Sequence, residues 1–441
     1  MKIIFINRFF YPDMSATSQM LSDQAFALAE YGREIVVITS RHGYSDRTER
    51  YPAREKIDGV TVHRVPTSSF GRFRLFGRAL DCASFLLTSG WHLLVLVRPG
   101  DIVVAKTDPP MLSALVYPIC ALRGAKLVNW LQDLFPEAAS VLKVGRSWAS
   151  KLAFAVLGRL RNRSLCWARA NVVIGNHMAR RVEQLGVDPM CIVTIPNWAN
   201  GKLVYPVPHQ VNSLRHEWNL QDRFVVAYSG NLGRAHDYQT ILEAIGIVER
   251  ERLSAAAFTN EQDQSYLTSD STALATNPVE GKTRKPILWL FIGSGANYSK
   301  LQQEVVKHKL TSVVFRGYQP RECLAESLSC ADVHLATLRP EMEGLSVPSK
   351  VYGSLASGRP VVFIGDRGGD TAGMLRRHNC GISIDQGDGA GLARALIELA
   401  ENTALTNEMG RKSRQVLDKH FELRHAVARW QTLLNKVAAE P

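Results

Sequence analysis

The stretch "EMEGLSVPSKVYGSLASGRPVVFIG", Glu341 to Gly365, decides how the rest is read. It begins with two carboxylates and a Pro-Ser-Lys turn. A run of small residues follows that suits a closely packed helix, and Gly358-Arg359-Pro360 stops it. "PVVFIG" then follows as a strand too uniformly apolar to have a wet face, which reads as a strand buried in a parallel sheet. A loop, a helix and a buried strand in that order are part of an alternating β/α unit.

Working outward, the alternation repeats. "FVVAYSG", "ILWLFIGSG", "VVFRGY" and "DVHLATL" are strands upstream of the loop, with helices such as "DYQTILEAIGIVERE" and "SKLQQEVVKHK" between them. The first half has its own series: "KIIFI", "EIVVIT", "VTVHRV", "DIVVAK", "KLVNWL" and "NVVIG". The prolines of "VTIPNWANGKLVYPVPHQ" break the pattern and mark a linker. The expected organisation is an N-terminal α/β domain over 1–195, a linker over 196–212 and a second α/β domain over 213–418. A final helix within 419–441 is expected to cross back onto the first domain. Residues 253–286, rich in Ser, Thr, Asn and Gln, read as a disordered insertion.

The chain has 441 residues and a net charge of +12. The excess is uneven: residues 1–200 hold 25 Lys and Arg against 15 Asp and Glu, and residues 201–441 hold 28 against 26. A basic half suggests an anionic partner, either nucleic acid, an anionic membrane or a phosphorylated substrate; plain solubility is the bland alternative. No nucleic-acid module is recognisable. Seven scattered cysteines without a Cys-x-x-Cys pair argue against a disulfide framework or structural zinc. The longest apolar run, Phe85 to Val97, falls short of the ~20 residues a bilayer requires, so no spanning segment is expected.

Ligands of open parallel sheets sit beyond the carboxyl ends of the strands. There the second half offers Gly230, Asn231, Gly233, Arg234 and His236 in one loop, Gly293 and Gly295 in the next, and Gly317 with Tyr318 in a third. Glycines let backbone approach a ligand, and a guanidinium suits a phosphate. Each loop alone also fits an ordinary tight turn. Ser349 and Lys350 open the helix after the Glu341 loop and add N–H groups and a cation. Glu341 and Glu343 beside a diphosphate site would repel it unless they face neutral hydroxyls. The set therefore reads as a site for a nucleoside diphosphate joined to a sugar.

The segments "FFYPDMSATSQMLSDQAFALAEYG", "IPNWAN", "YSGNLGRAHDYQTILEA", "FRGY" and "GLSVPSKVYGSLASGRPVVFIG" together resemble glycosyltransferase family 4. The likeness is nearest to the branch that builds bacterial surface polysaccharides such as O-antigen, colanic acid and other exopolysaccharides. The resemblance implies a GT-B fold, two Rossmann-like parallel-sheet domains facing across a cleft. It also implies retaining, metal-independent transfer from a UDP- or GDP-sugar, with no cofactor. The acceptor would be a glycan on a lipid diphosphate at the inner face of the plasma membrane, the enzyme being cytoplasmic and peripheral. Carried over, Arg234 and Lys350 stabilise the leaving diphosphate, Glu343 meets the donor sugar's hydroxyls, and Gly344 and Leu345 line the donor site. Leu345 stands at the position of the family's first glutamate and Gly353 at that of its second. The ribose contact is thus unassigned, with Ser349 and Tyr352 as candidates.

Asp108 and Asp133 are expected on the acceptor side, although Asp133 equally suits a helix cap. Ser15, Thr17 and Ser18 are placed there too, and also as caps. "SSFGRFRLFGR" interleaves Phe73 and Arg74 with like neighbours, a pattern that docks on anionic lipid or forms a solvated charged face. Two other readings stay open: a nucleotide-sugar epimerase on the same fold, and a non-catalytic nucleotide-sugar-binding relative.

Overall fold

A computed structural model describes residues 1–13, 15–43, 50–70, 75–142, 147–266 and 285–440. The chain forms two compact units. The first comprises Met1–Asn200, Glu341–Ser349 and Lys419–Pro441, and the second Gly201–Pro340 and Lys350–Asp418.

The first unit is built on β1 (Ile3–Ile6), β2 (Ile35–Ser40), β3 (Arg54–Ile57), β4 (Val60–Val65), β5 (Ile102–Lys106), β6 (Lys126–Trp130), β7 (Ala170–Val173) and β8 (Ile192–Thr194). They lie in the order β3-β4-β2-β1-β5-β6-β7-β8, parallel except for β3 on the edge. The central strands are apolar on both sides because helices cover both faces. On one face the terminal helix Leu423–Ala439 sends Val427, Trp430 and Leu434 into a core with Phe5, Trp130 and Trp198. Trp430 meets Trp130 edge-on at 4.9 Å. On the other face lie the helices Leu75–Leu96 and Leu112–Arg123, and Trp148–Trp167 packs beside them. Tyr117 and Trp167 touch with ring centres 5.2 Å apart.

The Leu75–Leu96 helix corrects the short apolar run read from the sequence. Its window Ala79–Leu96 is long and apolar enough, by length and composition, to cross a membrane. The small, nearly neutral Cys82, Ala83 and Ser84 extend the run, and Asp81 is its one acid.

The second unit holds β9 (Phe224–Asn231), β10 (Ile287–Ser294), β11 (Val313–Arg316), β12 (Val333–Thr337), β13 (Val361–Ile364) and β14 (Gly381–Ile384). All are parallel, in the order β11-β10-β9-β12-β13-β14. That is the doubly wound order whose direction reverses between β9 and β12, and a ligand crevice belongs at such a reversal. The same rule points to β1 and β5 in the first sheet.

The helix after β9 runs Gln239–Tyr266, so residues 253–266 are helical and not disordered. Ala255, Ala256 and Ala257 with the following Glu and Gln residues favour a helix, which the emphasis on polar composition overlooked. Residues 267–284, the rest of the expected insertion, lie outside the described residues. So do Phe73 and Arg74.

Candidate active site

The carboxyl ends of β9 and β10 touch through glycine. Gly230 (φ +114°), Gly293 (φ +133°) and Gly295 (φ +141°) hold conformations that side chains rarely adopt. A Cβ on Gly293 would lie 2.4 Å from the Gly230 carbonyl oxygen, and one on Gly295 2.5 Å from that of Leu232. Buried Asn297 fixes the 231–236 loop: its Nδ2 donates to the Gly233 and His236 carbonyls at 3.1 Å each, and its N–H to Leu232 O at 2.9 Å. Asp237 ends the loop and caps the Gln239–Tyr266 helix through the N–H groups of Gln239 (3.1 Å) and Thr240 (3.3 Å).

Two cations belong to this loop region. Lys350 opens the Lys350–Ala356 helix, and its Nζ lies 3.8 Å from the ring centre of buried Tyr228, hydrogen-bonds the Tyr228 hydroxyl and donates to Asn231 O at 3.4 Å. Desolvation holds the Lys350 ammonium well below its ordinary range, and among the described residues no carboxylate opposes that shift. Burial, with the Lys350 charge adding to it, lowers His236 to about 3, so its imidazole is neutral. His236 Nδ1 lies 2.7 Å from Thr337 O; the neutral ring therefore donates from Nδ1 and keeps Nε2 as an acceptor. Arg234 is exposed and makes no hydrogen bond or ion pair with another described residue. Tyr318 is 54% exposed after β11. These residues form a cationic, glycine-lined edge that can hold a diphosphate on backbone N–H groups, Arg234 and Lys350.

Other expected donor residues are placed differently. Tyr352 is buried on its helix, which raises its hydroxyl pKa. Glu341, Glu343, Gly344, Leu345 and Ser349 group with the first unit, not with the second-sheet edge on which the sequence reading set them. The reason is local packing. Leu345 is 1% exposed and its carbonyl accepts from Leu134 N–H at 2.9 Å, so it offers a ligand no side-chain hydrogen bond. Gly344 (φ +74°) passes so close to Arg181 that a Cβ would lie 2.7 Å from its Nε. Arg181 Nε donates to Glu343 O at 3.0 Å, and the Glu343 carboxylate lies 3.3 Å from His177 Nδ1.

In the first unit, Asp108 follows β5 at the reversal of the sheet. Thr17 Oγ1 donates to its carboxylate at 3.4 Å, and Arg8 N–H to its carbonyl at 2.8 Å. Asp133 follows β6 and bridges to Ser346. Solvent reaches Asp133, yet the protein packed around it raises its carboxyl pKa; the Ser346 hydrogen bond opposes the shift and the Asp108 charge adds to it. Ser15 caps the Ala16–Glu30 helix, and Ser18 is fully buried with its hydroxyl on Asp13 O at 3.0 Å. Both act inside the fold, and only Thr17 of the three reaches Asp108.

Sequence reading missed Lys106, the last residue of β5. It is buried, donates to Thr17 O at 2.8 Å and stands 3.9 Å over the Trp130 ring. Desolvation lowers its ammonium to about 7, against the pull of Asp108. A lysine closing an apolar strand was the available signal. His177 and Asn297 were missed as well, because their partners are remote in sequence.

Residues 16–198 match the family described as "Glycosyl transferase 4-like domain". Residues 254–402 match "Glycosyl transferases group 1". The chain is 27% identical over 359 residues to the protein named "Probable glycosyltransferase WbjE" of Pseudomonas aeruginosa, covering 81% of this chain and 80% of that one. It is 22% identical over 373 residues to WcaI of Escherichia coli, named as a glycosyl transferase of colanic acid biosynthesis, covering 82% and 83%. Among solved structures, sucrose-phosphate synthase of Thermosynechococcus elongatus superposes with a TM-score of 0.73 at 15% identity over the whole of both chains. Anabaena HepE, solved with UDP and glucose, gives 0.68 at 16% identity, covering 99% of this chain and all of that one. The chain is a glycosyltransferase of the group 1, family 4-like kind, with the GT-B fold.

Proposed function

We propose that this enzyme transfers a sugar from a nucleoside-diphosphate sugar to a growing glycan of a bacterial surface polysaccharide, with retention at the anomeric carbon and without a metal ion. The name of WcaI, a glycosyl transferase of colanic acid biosynthesis, supports the class of product. The HepE complexes with UDP and with UDP-glucose support the donor class, which UDP- or GDP-sugars represent here. One observation carries the reading: among the described residues Arg234 is unpaired and exposed on the same loop edge as a desolvated Lys350, with no carboxylate bonded to either. Arg234, and Lys350 once the diphosphate's negative charge beside it favours the ammonium form, would neutralise the charge that develops on a departing diphosphate, which elsewhere falls to a divalent ion.

In the proposed step the bond from the anomeric carbon to the diphosphate oxygen breaks. A bond to the acceptor hydroxyl oxygen forms on the same face, and the hydroxyl's proton passes to the departing phosphate oxygen. Glu343 holds donor sugar hydroxyls; Asp108 and Asp133 orient the acceptor. We assign the acceptor to a lipid-diphosphate-linked glycan at the inner face of the plasma membrane, which makes the enzyme cytoplasmic and peripheral. The test incubates the enzyme with UDP- and GDP-sugars and lipid-linked acceptor in excess EDTA, then reads the new anomeric linkage by NMR. A linkage with the donor's configuration supports the proposal. An inverted linkage, or transfer only when metal is restored, overturns it, and conversion of donor sugar without acceptor would make the enzyme an epimerase.

A further inference from the structure

The helices Leu75–Leu96, Leu112–Arg123 and Trp148–Trp167 have an outer surface that the transferase chemistry does not use. A surface helix of a globular domain turns polar residues outward. These do not. In Leu75–Leu96 one stripe, with Phe85, Leu93 and Val97 just beyond the helix, is fully buried against the sheet. The opposite stripe, Leu80, Leu87, Trp91 and Val95, is apolar too and is exposed, Trp91 to 70%. Trp148–Trp167 repeats the pattern with Trp148, Leu152, Val156 and Leu160 at four-residue intervals, Trp148 being 79% exposed. Between them Leu122 is exposed. Side-by-side packing joins the helices: a Cβ on Gly90 would lie 3.0 Å from Leu115, and Tyr117 touches Trp167. Exposed apolar surface on this scale marks an interaction site.

Charge identifies the occupant. The three helices contain a single acid, Asp81, which is buried and accepts from Ser68 Oγ (2.9 Å) and Phe70 N–H (2.8 Å). Their exposed ionic groups are all cations: Arg123, Lys151, Arg159 and Arg163. An apolar surface set with arginine and tryptophan, and lacking exposed acids, fits the headgroup layer of an anionic bilayer. Indole rings settle at that depth, and cations meet lipid phosphate. Spanning is excluded for Leu75–Leu96, since its inner stripe and Asp81 are part of the domain core.

We infer that this three-helix face of the first unit lies in the surface of an anionic phospholipid bilayer, with Leu87, Trp91, Trp148 and Leu152 inserted. The inference deepens the reading of a lipid-linked acceptor by naming the surface that meets the lipid. It differs from docking through the 68–78 segment.

The test is flotation of the full chain with vesicles of phosphatidylethanolamine and phosphatidylglycerol, and with neutral phosphatidylcholine vesicles. Trp91→Glu and Leu152→Glu are compared with Val306→Glu, an exposed apolar position in the second unit. Light scattering gives the oligomeric state, and calorimetry gives UDP and GDP binding. The expected result is wild-type binding to the anionic vesicles only. Each face variant should lose at least tenfold in vesicle affinity, and Val306→Glu should match wild type. Nucleotide binding should be the same in all four, which separates failure here from failure of the transferase reading. Three results overturn the inference: no wild-type binding to anionic vesicles; equal binding by the face variants; or a wild-type dimer that Trp91→Glu converts to monomer, which would make the face a self-interface.

Discussion

Replacing Gly295 by Ala should loosen the donor edge without touching any group that bonds the nucleotide. Two costs can be worked from the structure. A non-glycine residue held at φ +141° costs ~1–3 kcal/mol. The new methyl would also start 2.5 Å from Leu232 O. That oxygen is backbone, and Asn297 N–H holds it at 2.9 Å. It yields only by moving the 231–236 loop, an overpacking cost of ~1–3 kcal/mol. The sum is ~2–6 kcal/mol, and at ~2–4 °C per kcal/mol for a unit of this size the melting temperature should fall by about 4–24 °C. The displaced loop carries Arg234, so nucleotide affinity should fall at least tenfold, or ~1.4 kcal/mol. Gly317→Ala is the control, since Gly317 has neither a positive φ nor an atom within 4 Å of its would-be Cβ. Calorimetric melting and nucleotide titration of both variants decide the matter. If Gly295→Ala melts and binds like Gly317→Ala, the glycine edge does not shape the site.

Further outcomes follow from other parts of the molecule. Trp430→Ala removes a fully buried indole from the first unit and should destabilise it by ~3–5 kcal/mol in urea unfolding, leaving the second unit's transition in place. Burial lowers His334 from 6.5 to about 4, so its folded pKa is below its unfolded one and the native state binds fewer protons. Stability present above pH 6.5 should then be lost as pH falls toward 4, by up to ~3 kcal/mol for this residue, and His334→Gln should flatten that part of the slope. Glu343→Gln keeps the size of the side chain and should leave nucleotide affinity unchanged while lowering kcat/KM at least tenfold, as measured by initial rates; an unchanged kcat/KM would remove Glu343 from the reaction.

The two sheets were readable because buried parallel strands are short apolar runs between helices, and "KIIFI" and "FVVAYSG" have few other interpretations. The glycine loops after β9 and β10 were readable for a similar reason: the residue types that a close backbone approach requires are few. What stayed hidden depends on tertiary partners. Lys106 looks like the polar end of a strand until Trp130 and Thr17 enclose it. Glu343 gives no hint of His177, more than 160 residues earlier. The apolar outer stripe of Leu75–Leu96 was masked by small residues that interrupt the run without adding charge. Helical continuation beyond Leu253 was masked by polar composition, which does not separate a solvated helix from a coil.

The central claim is that the second unit binds a nucleoside diphosphate on Arg234 and Lys350 without metal. Calorimetric titration of UDP and GDP in EDTA, on wild type, Arg234→Ala and Lys350→Ala, tests it most directly. The account predicts that one nucleotide binds wild type and that each substitution weakens it tenfold to a hundredfold, the loss of a charged hydrogen bond worth ~1.5–3 kcal/mol. Binding that requires Mg²⁺, or that is unaffected by both substitutions, would contradict it.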